Sequence, residues 1–225
     1  MWKIGHRGAC GHAPENTLAS MKKALAFGVH GFEFDLQMSR DGEPVVIHDD
    51  TLERTTSGSG LVSHFTLQQL QQFDAGGGEC IPSLRNVLDL VDKRCRLFIE
   101  LKAENAAKPV ADILRHYVAH FGWSYEQLFV ISFDHPQLVV VRGINPELRT
   151  GAIMCGIPVS LAAFAEDANA WGIIADVFHI NQKLVDDAHR RKIKIFAGTA
   201  NHPLHIAKAQ SLGVDGIISD YPDRL

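Results

Sequence analysis

Residues 96–132 read RLFIELKAENAAKPVADILRHYVAHFGWSYEQLFVIS, and this stretch decides the fold class. Arg96–Leu101 and Leu128–Ser132 are short apolar runs of the length of buried strands. Between them, Ala106–Phe121 has the spacing of an amphipathic helix. A strand, a crossover helix and a second strand form the unit from which parallel α/β sheets are built.

The same alternation runs along the 225-residue chain. Strands are predicted at Trp2–His6, Gly31–Leu36, Arg96–Leu101, Leu128–Ser132, Leu148–Met154, Val177–Ile180, Lys194–Ala197 and Gly216–Ser219. Helices are predicted at Asn16–Phe27, Ser83–Lys93, Ala106–Phe121, Pro136–Gly143, Pro158–Trp171, Lys183–Arg191 and Pro203–Leu212. This order predicts one α/β domain over residues 1–225, a (β/α)8 TIM-type barrel whose last helix is short or missing.

A further strand candidate, Pro44–His48, breaks the alternation. It follows the second strand after too few residues for a helical crossover, and the Asp-Gly pair between them favours a β-hairpin. A register in which Ser39 pairs with Pro44 places His48 opposite Asp35. The hairpin therefore predicts that His48 lies beside the carboxylates of the second strand.

A small insertion at about residues 51–82 is the longest departure from the strand–helix rhythm. It contains the glycine-rich segments 57–60 and 76–78 on either side of an amphipathic stretch, Leu67–Phe73. Insertions on the carboxyl side of barrel strands commonly carry substrate contacts. The alternative is a mobile loop without chemistry.

The composition excludes several classes of protein. With 46% hydrophobic residues and 21% charged residues, the chain has the material for a core and is unlike a disordered protein. The net charge of −4 argues against a nucleic-acid partner. No apolar stretch approaches the roughly 20 residues that cross a bilayer, so stable membrane insertion is not expected. The first residues have no leader pattern and the four cysteines are scattered, so we expect a cytoplasmic protein with reduced thiols.

Three carboxylates lie at predicted strand ends, where barrel enzymes place their functional groups. Glu33 and Asp35 share one face of the second strand, and Glu100 shares a face with Lys102 on the next. Converging carboxylates repel one another unless a cation lies between them, and all-oxygen ligands suit Mg²⁺ or Ca²⁺. The sequence therefore predicts a divalent metal site at Glu33, Asp35 and Glu100. Ordinary ion pairs with Lys102 or Arg7 are the alternative.

Two histidines and two basic residues belong to the same predicted rim. His6 and His48 are candidates for a general acid and a general base, because histidine titrates near neutral pH. Arg7 and Lys102 are suited to binding the oxygens of a phosphate ester. These groups predict metal-assisted phosphoryl transfer, with a monoester or a diester as substrate.

Several motifs occur in order along nearly the whole chain. They are residues 6–8 (HRG), 14–17 (PENT), 33–35 (EFD), 48–49 (HD), 52–56 (LERTT), 81–84 (IPSL), 100–102 (ELK), 132–134 (SFD) and 213–222 (GVDGIISDYP). In this set the chain resembles the glycerophosphodiester phosphodiesterase family, in its compact cytosolic bacterial form.

The resemblance implies a (β/α)8 barrel that hydrolyses glycerophosphodiesters to sn-glycerol 3-phosphate and an alcohol, with a small molecule as its partner. It implies catalysis by His6 and His48. It also implies a divalent metal, Mg²⁺ or Ca²⁺, held by Glu33, Asp35 and Glu100, and phosphate contacts from Arg7 and Lys102. The preferred alcohol and the oligomeric state stay open.

One motif departs from the family pattern. Near the seventh strand the family usually has Trp-Thr-Val-Asn, whereas this chain has Gly198-Thr199-Ala200-Asn201. The missing aromatic side chain predicts a wider pocket, unless Phe133, Phe178 or Phe196 fills the space.

Two other functions compete with this interpretation. The first is a related barrel that hydrolyses phospholipids in the manner of a phospholipase D, which would favour an exposed apolar rim. The second is a non-catalytic barrel that binds glycerol phosphates, which would favour loss of a histidine or a metal carboxylate, and all of these are present.

Overall fold

A computed structural model describes residues 1–225, in which nine strands form a single sheet. The strands are β1 Trp2–Gly5, β2 Gly31–Met38, β3 Pro44–Val46, β4 Arg96–Leu101, β5 Leu128–Ser132, β6 Arg149–Met154, β7 Gly172–Asp176, β8 Lys194–Gly198 and β9 Gly216–Ser219. Their order is β1-β9-β8-β7-β6-β5-β4-β2-β3, and β1 also pairs with β2. The eight strands other than β3 are parallel and close on themselves, which confirms the predicted TIM-type barrel.

Eight helices connect the strands. They are α1 Leu18–Ala26, α2 Leu67–Leu70, α3 Leu84–Val91, α4 Ala107–Phe121, α5 His135–Ile144, α6 Ala163–Asp167, α7 Gln182–Arg190 and α8 Pro203–Ser211. Side chains of Thr17, Ser83 and Asn181 cap α1, α3 and α7 by accepting bonds from backbone N–H groups of the first turn. After β9 the chain forms only a 3-10 turn, Pro222–Arg224.

None of these helices combines the length and the apolar character needed to span a membrane.

The barrel interior is filled from the amino-terminal end. Eight buried apolar side chains lie inside it: Ile4, Phe98, Phe129, Ile131, Ile153, Ile174, Phe196 and Ile218. The rings of Phe98 and Phe129 stack with centroids 4.8 Å apart. Trp2 and Trp171, at or beside the first residues of β1 and β7, pack against this cluster and close the end of the barrel. The open space is therefore confined to the carboxyl end, where barrel enzymes have their active sites.

The prediction of a strand at Val177–Ile180 was wrong. The strand lies just before these residues, at Gly172–Asp176 (β7). Val177–Ile180 forms a turn, in which the Asp176 carboxylate accepts a 2.9 Å bond from the Phe178 N–H. The glycine and alanine of β7 weaken its strand signal, so the prediction placed the strand in the apolar residues that follow it. The observed helix α6 is much shorter than the predicted Pro158–Trp171.

The hairpin is present, but its register differs by one residue from the prediction. Met38 pairs with Pro44 and Leu36 with Val46, so His48 does not lie opposite Asp35. Ser39 belongs to the turn instead, where its N–H donates to the Glu43 carbonyl at 3.0 Å. In a longer strand, a shift of one residue in the register would turn each side chain to the opposite face. Because β3 already ends at Val46, this shift does not decide where the side chain of His48 lies.

The insertion at residues 51–82 is packed rather than loose. It contains a 3-10 turn at Val62–His64 and α2, which surround a small apolar cluster together with β3. The buried members are Val45, Ile47, Leu52, Val62, Leu70, Ala75 and Ile81. Gly58 is required here because a Cβ would lie 2.8 Å from the ring of Phe73. The segment is therefore a second, smaller packing unit on the side of the barrel.

Candidate active site

A cavity of about 370 Å³ opens at the carboxyl end of the barrel. Its two sides differ in chemistry. The polar half, from β1, β2, β4 and the segment after β3, consists of His6, Arg7, Glu33, His48, Glu100 and Lys102. The apolar half, from β5 to β9 and the turns that follow them, is lined mainly by Ile131, Phe133, Ile153, Met154, Ile174, Phe178 and Ile218, with Asp176, Gly198 and Thr199 among them. Every predicted site residue except Asp35 lines this cavity.

The three predicted metal ligands lie together beneath the polar half. Asp35 pairs with Glu100 across β2 and β4, and Glu33 projects from the same face of β2. Each offers a carboxylate oxygen within 4.8 Å of the others, and the residues are only 3%, 1% and 7% exposed for Glu33, Asp35 and Glu100. The amide of Asn16 donates to Asp35 Oδ2 at 2.9 Å and fixes its orientation.

Basic side chains compensate part of this buried charge. Lys102 Nζ lies 2.7 Å from Glu100 Oε1 and 3.5 Å from Asp35 Oδ1, and Arg7 Nε lies 3.3 Å from Asp35 Oδ2. The expected ion pairs therefore exist, but they leave Glu33 without an arginine or lysine partner. Glu33 accepts a 3.1 Å bond from the Arg7 N–H, while its Oε1 is buried with no hydrogen-bond partner.

The remaining charge repulsion shows in the pKa values. Burial raises the pKa of Glu33 well above its usual value, and the neighbouring Asp35 and Glu100 raise it further. Burial and Asp35 likewise raise the pKa of Glu100 to about 7. An orphaned oxygen and two carboxylates that ionise reluctantly fit a site for a divalent cation with oxygen ligands.

His6 is held by a carboxylate that sequence reasoning missed. Its Nδ1 lies 2.6 Å from Asp220 Oδ1, while its Nε2 lies 3.8 Å from Glu33 Oε2. Asp220 also accepts bonds from Asn201 Nδ2 at 2.6 Å and from the Cys10 thiol at 3.1 Å. Burial raises the pKa of Asp220, but these hydrogen bonds outweigh it and bring the pKa to about 2, so the carboxylate is ionised. The feature of the sequence that could have indicated Asp220 was its position directly after the last strand.

His48 has a matching arrangement with a different partner. Its Nδ1 lies 2.6 Å from Oδ1 of the adjacent Asp49. Asp49 in turn accepts a 2.6 Å bond from Arg54 Nε, whereas the partners of Asp220 carry no permanent positive charge. Both histidines thus have Nδ1 occupied by a carboxylate, and both rings line the cavity.

The space beside Gly198 is bounded by β9. A Cβ added at Gly198 would lie 2.9 Å from Cβ of Ile218. The space next to Gly198 is therefore partly filled by Ile218 and is not an open extension of the cavity. Phe196 lies in the barrel core, whereas Phe133 and Phe178 stand at the rim with 52% and 65% exposure. Ile218 is therefore the side chain that occupies this part of the apolar half.

Comparison with known proteins gives a consistent result. Residues 6–224 match the model of the glycerophosphoryl diester phosphodiesterase family. A glycerophosphodiester phosphodiesterase of Caldanaerobacter subterraneus is 35% identical over 99% of this chain and 95% of its own length. Another, from Bacillus altitudinis, is 30% identical over 100% of this chain and 96% of its own length.

Solved structures agree with the sequence relatives. A phosphodiesterase of Oleispira antarctica, solved in complex with the product sn-glycerol-3-phosphate, superimposes with a TM-score of 0.90 at 32% identity, covering 98% of this chain and 93% of that one. A glycerophosphodiester phosphodiesterase of Agrobacterium tumefaciens gives a TM-score of 0.83 at 30% identity, covering 99% of this chain and 98% of that one.

Proposed function

Because the chain belongs to the glycerophosphoryl diester phosphodiesterase family and is an enzyme of that activity, we propose that it forms sn-glycerol 3-phosphate and an alcohol by a metal-dependent reaction with two catalytic histidines. One observation carries this proposal. The buried acidic cluster, the two carboxylate-bound histidines and the two basic side chains meet at one side of a single cavity. Each of these groups has a task in the hydrolysis of a phosphodiester.

Glu33, Asp35 and Glu100 are the residues that would hold Mg²⁺ or Ca²⁺. Such a cation, when bound, polarises a phosphoryl oxygen and offsets the negative charge that develops on it. Arg7 and Lys102 line the cavity next to these carboxylates, where their donors can bind the other phosphoryl oxygens. Together they orient the diester with its phosphorus facing the histidines.

The histidines move the protons. A water oxygen forms a bond to phosphorus as the bond from phosphorus to the alcohol oxygen breaks. One histidine accepts the proton of the attacking water and the other donates a proton to the departing alcohol. The carboxylates of Asp220 and Asp49 at each Nδ1 leave the Nε2 atoms of His6 and His48 for this exchange.

We also infer that residues 1–225 form one domain, since all nine strands belong to one sheet. Four free cysteines, one of them the buried Cys95, are typical of a reducing compartment and support a cytoplasmic location.

The test is the release of sn-glycerol 3-phosphate from glycerophosphocholine, measured with Mg²⁺ or Ca²⁺ and again with EDTA. We expect release with metal and none with EDTA. A phosphate monoester serves as the control substrate and should not be hydrolysed. Absence of release at saturating metal would contradict the proposal.

One observation favours a second substrate class, namely acylated phosphodiesters. Phe133 and Phe178 stand half-exposed at the rim of the apolar half, where an acyl chain would find apolar contacts. The same assay with lysophosphatidylcholine, scored by the release of choline, tests it. Hydrolysis of glycerophosphocholine alone would exclude this second function.

A further inference from the structure

A continuous chain of charged contacts runs across the polar half of the site. Asp49, the partner of His48, accepts bonds from Arg54 Nε at 2.6 Å and from Arg54 Nη2 at 3.0 Å. Arg54 also donates from Nη1 and Nη2 to the two oxygens of Glu15, at 2.9 Å each. Glu15 accepts a 2.6 Å bond from Arg7 Nη1.

The two ends of this chain lie in different packing units. Arg7 and Glu15 belong to the barrel, in the segment between β1 and α1. His48 and Arg54 belong to the segment after β3, which continues into the insertion with its own apolar cluster. Of the ion pairs formed by residues 48–82, the pair between Arg54 and Glu15 is the one that leaves this segment. The backbone of His48 is already held by a 3.1 Å bond from Gln37 Nε2 to its carbonyl, so what this pair adds is a link from the His48 ring, through Asp49, to the barrel.

Arginine is suited to this position for a geometric reason. Its planar guanidinium has donors on two edges, so it can bind a carboxylate with two hydrogen bonds on each edge, whereas the ammonium of lysine is a point charge that cannot pair in this bidentate way with both. All three nitrogens of Arg54 are used in this way.

The ionisation of both partners agrees with this. The hydrogen bonds from Arg54 hold the pKa of Asp49 well below its usual range. Burial raises the pKa of Glu15, but the bonds from Arg54 and Arg7 outweigh it and lower the pKa below its usual value. Both carboxylates are therefore ionised at neutral pH, and the alternation of charge along the chain is complete.

We propose that Arg54 is a positioning residue that locks His48 and Arg7 into one arrangement by holding Asp49 and Glu15 at the same time. The proposal rests on the proposed function, in which His48 exchanges a proton and Arg7 binds phosphate. Arg54 does not line the cavity and touches neither group directly. The proposal therefore gives the insertion, which contains Arg54, a role in catalysis that does not require contact with substrate.

The experiment compares Arg54→Ala, Arg54→Lys and the unmodified protein in the glycerophosphodiester assay. Removal of an outer residue that orients a metal ligand typically costs on the order of 10–100-fold in activity, and we expect a fall of similar size in kcat of Arg54→Ala, because Arg54 orients the partner of His48. Arg54→Lys should recover only part of the loss. KM should rise as well, because Glu15, which binds Arg7, is no longer held by Arg54.

Arg85→Ala is the matched control. The side chain of Arg85 is 45% exposed against 46% for Arg54, and it pairs with Glu43 at 3.9 Å, away from the cavity. We expect kcat and KM of this variant to equal those of the unmodified protein.

Added guanidinium separates positioning from a purely structural role. Because Arg54 is half-exposed, its removal leaves a site that small cations can enter from solvent. Millimolar guanidinium should restore part of kcat in Arg54→Ala and none in His48→Ala. An Arg54→Ala protein that keeps full kcat overturns the proposal. So does one that loses kcat, fails to respond to guanidinium and unfolds at a lower temperature than Arg85→Ala. An unmodified protein without diesterase activity would instead reject the proposed function.

Discussion

The two halves of the cavity are built in different ways. In the polar half most side chains are fixed by charge, as with Lys102 between Glu100 and Asp35 or His6 against Asp220. In the apolar half the side chains of β5 to β9 are held by packing, and two phenylalanines at the rim have half or more of their surface exposed. In the proposed reaction the phosphate would therefore be held by a rigid set of charges, whereas the alcohol would meet a surface that can tolerate change. Alterations in the two halves should therefore differ in both size and kind.

Removal of the metal should have the largest effect. We expect EDTA to abolish turnover and Mg²⁺ or Ca²⁺ to restore it, because Glu33 has no arginine or lysine ion pair in the acidic cluster. Glu33→Gln should lose activity through lost metal affinity while the protein stays folded, as judged by circular dichroism. Full turnover in a preparation shown to be free of metal would rule out the assignment of the three carboxylates.

Loss of either histidine should come next. His6→Ala and His48→Ala should each lower kcat on the order of 10²–10⁴-fold, as expected for a positioned acid or base. If the two act in a single step, the double variant should be little worse than either single one. The measurement is kcat at saturating substrate and metal, and a near-normal kcat in either single variant would contradict the pair.

The acidic cluster also predicts how stability depends on pH in metal-free protein. The pKa of Glu100 is raised from 4.5 to about 7 in the folded state, so the folded protein binds more protons than the unfolded chain between these values. Stability should therefore fall as pH rises through that window, and added Mg²⁺ or Ca²⁺ should remove the fall. Thermal unfolding at several pH values, with and without EDTA, measures this. Glu100→Gln should show a flatter profile, and a metal-free Tm that rises across the window would contradict the prediction.

Changes in the apolar half should be the smallest and should alter selectivity. We expect the unmodified enzyme to hydrolyse several glycerophosphodiesters with similar kcat/KM. Because a Cβ at Gly198 meets Ile218, Gly198→Trp alone should destabilise the protein, and Gly198→Trp with Ile218→Ala is the informative variant. It should reorder the alcohols by on the order of tenfold and leave metal dependence intact.

The control for this experiment is Ile218→Ala alone, since an aliphatic core residue cut to alanine costs about 2–5 kcal/mol of stability by itself. Strong selectivity for one diester in the unmodified enzyme, unchanged in the double variant, would show that the apolar half does not select the alcohol.

The sequence predicted best what depends on local pattern. The bounds of β4 and β5 are those predicted, because continuous apolar runs beside a long amphipathic helix leave little choice. The pattern failed at β7, which has only two strongly strand-forming residues, Ile173 and Ile174, while the turn that follows it is also apolar. There, pairing with β6 and β8 decides the structure, and such pairing is not visible locally.

The candidate site divides in a similar way. His6, His48 and the three carboxylates stand in short motifs at strand ends and were predicted from them. Asp220 was not, because it lies 214 positions from His6 and meets it only after the barrel closes. Arg54 lies within the motif at residues 52–56, but the motif does not show its contact with Glu15. That contact joins residues 39 positions apart and follows from the packing of the insertion.

The aromatic layer beneath the cavity limits the routes by which substrate enters and products leave the enzyme. Trp2, Trp171 and the phenylalanines between them close the amino-terminal end of the barrel, so substrate, water and both products share one entrance. In the proposed reaction the alcohol would be released on the apolar side of that entrance. The glycerol phosphate would keep the negative charge that Arg7 and Lys102 attract, so we expect it to depart more slowly and to exclude the next diester while it is retained. Accumulated glycerol phosphate should thus act as a competitive inhibitor, while the free alcohol should hardly inhibit at all.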